Sequence, residues 1–178
     1  VYTNGKAAGA TSNFTVKAGD TTSKTGGTGV LTEAYVSTTG AVTLVETTTY
    51  LAKVDKVTAA NAAKGIDAKT ELTVYTNTSG TAKTYKSDAF TKDQYVLVTM
   101  ADGAVQTVVA ADKSVNAKMT AYTATTVTAG STYTYATACA LKPGNNFNDT
   151  FTFFLDAYGN VIGAVMYQES VTSFDYLY

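Results

Sequence analysis

Short apolar runs, rich in threonine and tyrosine and broken by turn residues, follow one another along this chain, a pattern that predicts β-strands. One strand–turn–strand phrase occurs three times: EAYVSTTGAVTLVE at 33–46, YVLVTMADGAVQTVVA at 95–110 and FTFFLDAYGNVIGAV at 151–165. Its central glycines, Gly40, Gly103 and Gly159, lie 63 and 56 residues apart. A repeated supersecondary unit predicts an array of small β modules, and such arrays are more often structural or adhesive than catalytic.

The middle copy reads most fully. Residues 50–57 (YLAKVDKV) predict a first strand anchored by Leu51, Val54 and Val57, and the alanines and closing glycine of 58–65 predict a single helical turn. Strands follow at 71–77 and 81–86 around a turn at 78–80, then a corner at 90–93 and a hairpin over 94–110. Asp102–Gly103 between two apolar runs is a type I′ turn signal. A second pass begins at Val115: a first strand in VNAKMTAYT, a hairpin around Gly130, a loop in LKPGNNFND, and a closing hairpin over 150–167 that turns at Gly159 and Asn160. Superposing Gly103 on Gly159 brings Asp93 onto Asp149, Tyr95 onto Phe151, Leu97 onto Phe153, Val98 onto Phe154 and Val105 onto Val161.

The expected fold is all-β with little helix: tandem small antiparallel modules of about five strands each, as SH3-like or OB-like barrels or sandwiches. Residues 1–48 are expected to be a partial module lacking its first strand, and 49–112 and 113–169 complete modules. Residues 170–178 (SVTSFDYLY) read as the orphan strand of a next module or as a donor strand. In the donor reading Val171, Phe174, Tyr176 and Tyr178 form the strand-donor interface, adding to the open edge of another copy's first module. A segment cut from a longer array is the competing explanation of the same ends.

Composition then narrows the partners. The 35 threonines and 13 tyrosines suit pleated, half-solvated strands, and a 45% hydrophobic content is enough for a core. Net charge is −1, every basic residue is lysine, and arginine, histidine and tryptophan are absent. Without guanidinium forks or a basic cluster, nucleic acid is not an expected partner. No run is long and apolar enough to predict membrane insertion. Cys139, the single cysteine, excludes an internal disulfide and a cysteine-based zinc site, and it is expected to pack as a small hydrophobe. The first residue is valine, which is compatible with excision from a longer precursor.

Candidate chemistry is sparse. Serine catalysis lacks a histidine base, and no SxxK motif offers a lysine in its place. The paired acids Asp93 and Asp149, and Asp102 and Asp156, recur with the repeat, which favours turn geometry over a glycosidase pair. The run from Asp156 to Asn160 lacks the alternating acids and distal glutamate of a calcium loop. No catalytic residue, cofactor or metal site is therefore expected. The residues singled out are those of the hairpin turns: Gly40, Asp102, Gly103, Gly159 and Asn160. Tyr122, Tyr133, Tyr135, Tyr158, Tyr167, Tyr176 and Tyr178 are candidates for an adhesive surface, with cross-strand pairing as the plainer use of the same side chains.

The closing hairpin TFTFFLDAYGNVIGAV, after a first strand such as YLAKVDKV and a YVLVT…GAV hairpin, resembles the β-rich repeat regions of S-layer-type surface proteins of clostridia-like Gram-positive bacteria, over most of 50–167. The resemblance implies an extracellular, cell-surface structural module that acts as spacer and self-assembly unit through lateral or head-to-tail β contacts, with signal and wall anchor elsewhere in the parent protein. It supplies no catalytic residues. The implied partners are other copies or other modules of the same protein. The alternative is an adhesin module that binds cell-wall or host glycans, or host proteins, through its tyrosines.

Overall fold

The computed structural model describes residues 1–7 and 26–169. Val171, Phe174, Tyr176 and Tyr178 lie outside the described residues. The chain is all-β, built of curled antiparallel sheets of which one forms a half-barrel. Among the described residues the one helical element is a 3-10 turn, Ala62–Lys64, capped by the Asn61 side chain and by Gly65 at φ 62°.

Strands β1 (Tyr2–Thr3) and β2 (Lys6–Ala7) meet at an Asn4–Gly5 turn with both φ angles positive. Strand β3 (Val30–Val36) pairs with the start of β4 (Val42–Thr58), from Val36 opposite Val42 to Val30 opposite Thr48. β1 lies parallel to β4 on its other edge, Tyr2 opposite Val45. No glycine or proline interrupts the 17 residues of β4, and its β-branched valines and threonines keep the backbone extended. The boundary expected between residues 48 and 49 thus falls inside one continuous strand.

The second half of β4 is the centre of the next sheet. It pairs with β5 (Lys69–Val74) on one edge and with β7 (Tyr95–Ala101) on the other; β5 pairs with β6 (Thr81–Tyr85), and β7 with β8 (Ala104–Ala110). The order is β6-β5-β4-β7-β8. The remaining strands are β9 (Ser114–Lys118), β10 (Ala121–Tyr122), β11 (Thr126–Ala129), β12 (Ser131–Thr134), β13 (Thr150–Leu155) and β14 (Val161–Met166). The path through β9 and β10 passes from β13 to β11, which gives β12-β11-β10/β9-β13-β14. The C-terminal strands form two three-stranded sheets, β10-β11-β12 and β14-β13-β9, which follow the middle stretch's order only where the chain runs on from β9 to β10.

Backbone hydrogen bonds fix the correspondence residue by residue. Asp93 donates its N–H to Val54 O at 2.8 Å, and Val54 N–H returns to Gln94 O. Asn148 donates to Met119 O at 2.9 Å, and Met119 N–H returns to Asp149 O. Asp93 and Asn148 both stand at φ 68°. The counterpart of Asp93 is therefore Asn148, and superposition on the turn glycines places the strand before the turn one residue out of register. The cause is turn length. Asp102–Gly103 is a two-residue turn with both φ angles positive, as expected for type I′, whereas 156–160 is a five-residue loop. After the turn the spacing of 56 holds, since Val105 pairs with Met100 as Val161 pairs with Leu155. A one-residue slip exchanges the two faces of a strand.

Two cores follow from this register. Val54, Leu72, Val74, Val96 and Val98 are fully buried in the middle stretch. Met119, Val127, Phe153 and Val161 are fully buried in the C-terminal one.

Candidate functional site

The runs that are apolar on both faces have two destinations. Val96 and Val98 of β7 enter the middle core, and Phe151 and Phe153 of β13 enter the C-terminal core. Their outward neighbours meet in a third cluster: Leu51, Ala136, Phe154 and Ile162 are buried together, with Tyr95 and Leu97 packed against them. The Tyr95 and Phe154 rings lie 4.7 Å apart, tilted by 33°, within the range of favourable aromatic pairs. At Gly163 a Cβ would collide with the Leu51 side chain, so glycine permits the close approach of β14 to β4.

This junction does not repeat. By the pairings above, Leu51 and Leu97 correspond to Asn116 and Thr152, and Phe154, Ile162 and Gly163 to Thr99, Gln106 and Thr107. The Thr99 and Thr107 hydroxyls share a hydrogen bond of 2.6 Å at an exposed site. On the same outward face, each stretch is thus apolar where the other is polar.

Beside the junction runs an open groove of about 780 Å³, lined by Lys53, Asp93, Tyr95, Thr152, Phe154 and Tyr167 among others. Lys53 Nζ lies 2.7 Å from an Asp93 carboxylate oxygen. Their hydrogen bond holds the lysine above its usual range and the aspartate below its own, so the two charges cancel in the groove. Among the described residues no three or more His, Cys, Asp or Glu side chains converge, and no helix is long and apolar enough to cross a membrane.

The turn residues have unequal roles. Asp102 is exposed, pairs with Lys6 at 3.3 Å and donates its N–H to Asn4 O, while Gly103 O accepts from Lys83 Nζ at 2.6 Å. Asn160 donates its N–H and its Nδ2 to Asp156, which also accepts the Tyr158 N–H and is only 2% exposed. Asp156 is a buried loop cap that sequence reasoning grouped with the exposed Asp102. The usable signal was the five-residue loop itself, because the first hairpin has the same one. There Ser37 Oγ accepts the Ala41 N–H at 3.0 Å, and Gly40 stands at φ 82° as Gly159 does at 84°.

The shared loop also sets the correspondence of the first hairpin with the third: Val36 with Leu155, Val42 with Val161. Val161 is fully buried, whereas Val36 is 69% and Val42 48% exposed, and Leu31 and Tyr35 on the opposite face of β3 are exposed too. In the two later hairpins the strand before the turn has a second neighbour, β4 beside β7 and β9 beside β13. Among the described residues β3 pairs with β4 alone.

Of the candidate adhesive tyrosines, Tyr122, Tyr158 and Tyr167 are exposed, Tyr133 packs on the C-terminal core and Tyr135 is buried in it; Tyr176 and Tyr178 lie outside the described residues. Cys139 is buried beside Tyr135, its Sγ 3.6 Å from Leu141 O. Burial pushes the Tyr135 hydroxyl from 10.0 and the Cys139 thiol from 9.0 up to about 12 each. Both stay protonated in the folded chain at pH values where the unfolded chain has lost the proton. Their contribution is therefore complete below about pH 9 and is lost as pH rises toward about 12. The urea midpoint should fall across that window, and Cys139→Ala should flatten the first part of the fall, where the thiol acts alone. A midpoint constant from about pH 8 to 11 would overturn this account.

Compared with protein-family models, curated proteins and solved structures, the chain matches none.

Proposed function

We propose that this chain is a structural part of an extracellular surface or S-layer-type protein, with its middle and C-terminal stretches acting as tandem β modules. The observation that carries the reading is the junction of Leu51, Phe154, Ile162 and Gly163, which packs two separately cored stretches against each other. Stiffness set by packed interfaces is what a spacer requires, because a floating linker would let adjacent modules swing. The exposed first hairpin supports the self-assembly half, since an apolar patch beside a strand edge that is unpaired among the described residues invites another chain. The groove supports no specific chemistry, its two charges being spent on each other.

The adhesin reading has the exposed Tyr122–Phe147 pair, with ring centroids 5.5 Å apart, and Tyr158 in its favour. With Tyr133 and Tyr135 turned inward, the structural reading is the better supported one. Sedimentation velocity over a wide range of protein concentration should show reversible growth beyond the monomer. A strictly monomeric chain at every concentration and salt would remove the assembly function.

A further inference from the structure

We infer that the free edge of β3 accepts residues 170–178 from a second copy of this chain, a proposal that rests on the self-assembly reading and names its contact. The acceptor is defined by what β3 lacks. β7 and β13 each lie between their hairpin partner and a first strand, with Leu51 opposite Leu97 and Val115 opposite Phe153. β3 has the hairpin partner and, among the described residues, no first strand.

The donor is defined by sequence. YLAKVDKV at 50–57 and SVTSFDYL at 170–177 match at a constant spacing of 120: Leu51 with Val171, Val54 with Phe174, Asp55 with Asp175 and Val57 with Leu177. In the middle stretch Leu51 is buried at the junction and Val54 in the core. Residues 170–177 thus repeat the sequence pattern of the strand that flanks β7, and no such strand flanks β3 among the described residues. The register follows from the third hairpin. There Phe153 and Phe151 face Val115 and Ala117, so Ala34 and Thr32 should face Ser170 and Thr172 in an antiparallel pair. Phe174 would then take the position of Val54 and Met119, both fully buried in their own stretches.

The chain cannot supply this strand to itself in that register. Ala34 pairs with Leu44 on β4, whereas Tyr167 shares the groove with Lys53, nine residues further along the same strand. Nine strand residues span roughly 30 Å. The three steps from Tyr167 to Ser170 reach about 11 Å at most. Residues 170–178 would therefore come from a second copy.

Two full-length variants, Thr32→Cys and Thr172→Cys, test the pairing when mixed and oxidised. The result expected is a disulfide-linked dimer containing one of each, formed by neither variant alone. Cross-linking no stronger than with Thr38→Cys as the acceptor-side control would overturn the register and the site. A second measurement needs no altered fold: a synthetic 170–178 peptide added to the unmodified chain should compete for β3 and lower the assembled fraction at least tenfold. A chain that assembles but ignores both the peptide and a Phe174→Asp substitution would overturn strand donation while leaving self-assembly in place. A chain that never leaves the monomer would instead bring down the functional reading itself.

Discussion

Ile162→Asp should convert a single thermal unfolding transition into two. Ile162 is 2% exposed and points from the β14 bulge into the junction, against Leu51 and Phe154. An unpaired carboxylate in an apolar site costs several kcal/mol, more than the roughly 1.5–3 kcal/mol gained by burying each large side chain there. The junction should open, while Val54, Leu72 and Val96 on one side and Phe153, Val127 and Met119 on the other keep their own contacts. Each stretch would then unfold at its own temperature, and differential scanning calorimetry reads the separation. One transition, with Tm within about 2 °C of the parent's, would mean that the junction does not couple the cores.

The second large effect is expected at Asp156. Its carboxylate accepts the Tyr158 N–H, the Asn160 N–H and the Asn160 Nδ2 at a nearly sealed site, and a Cβ at Gly29 would lie 2.5 Å from its Oδ2. Asp156→Ala leaves those donors without their acceptor, and a buried unsatisfied polar group costs about 1–3 kcal/mol. A loss of about 2–4 kcal/mol is expected, read as a lower urea midpoint at unchanged slope. Asp156→Asn keeps one acceptor oxygen and should recover about half of it. Ser37→Ala provides the comparison, because the equivalent loop of the first hairpin is solvent-exposed and should lose about 1 kcal/mol or less. If Asp156→Ala costs no more than Ser37→Ala, the loop cap is not the source of the stability assigned to it.

Much of this architecture was legible in the residues. The all-β class follows from threonine and valine runs punctuated by glycine, and the turns at Asp102–Gly103, Gly130 and Gly159 stand where the sequence puts them. The capped helical turn at Ala62–Lys64 was equally readable from its alanines and from Gly65. Register was not. A glycine at positive φ serves a two-residue turn and a five-residue loop alike, so aligning glycines hides an inserted residue. The sequence shows that Tyr95–Val98 and Phe151–Phe154 are apolar on both faces, but only the pairing tells which residue enters a core and which meets the neighbour. The run through β4 also conceals a change of partners, because nothing local marks the point where a strand leaves β3 and takes up β5 and β7. The turn geometry of Asp156 was legible but its burial was not, since an acid at a hairpin tip gives no sign of the packing beneath it.

The polarity of the junction's counterpart positions has a consequence for any material built from this chain. A contact that propagates must present both halves of itself on every unit. Here the two halves are on different stretches, and the positions equivalent to each half on the other stretch are the polar Thr99, Gln106, Asn116 and Thr152. The bond has a valence of one, and it is saturated within the molecule. An extended assembly must therefore alternate two unlike bonds, a permanent one inside each chain and an exchangeable one between chains. Its compliance, and the place where it parts under load, would belong to the second.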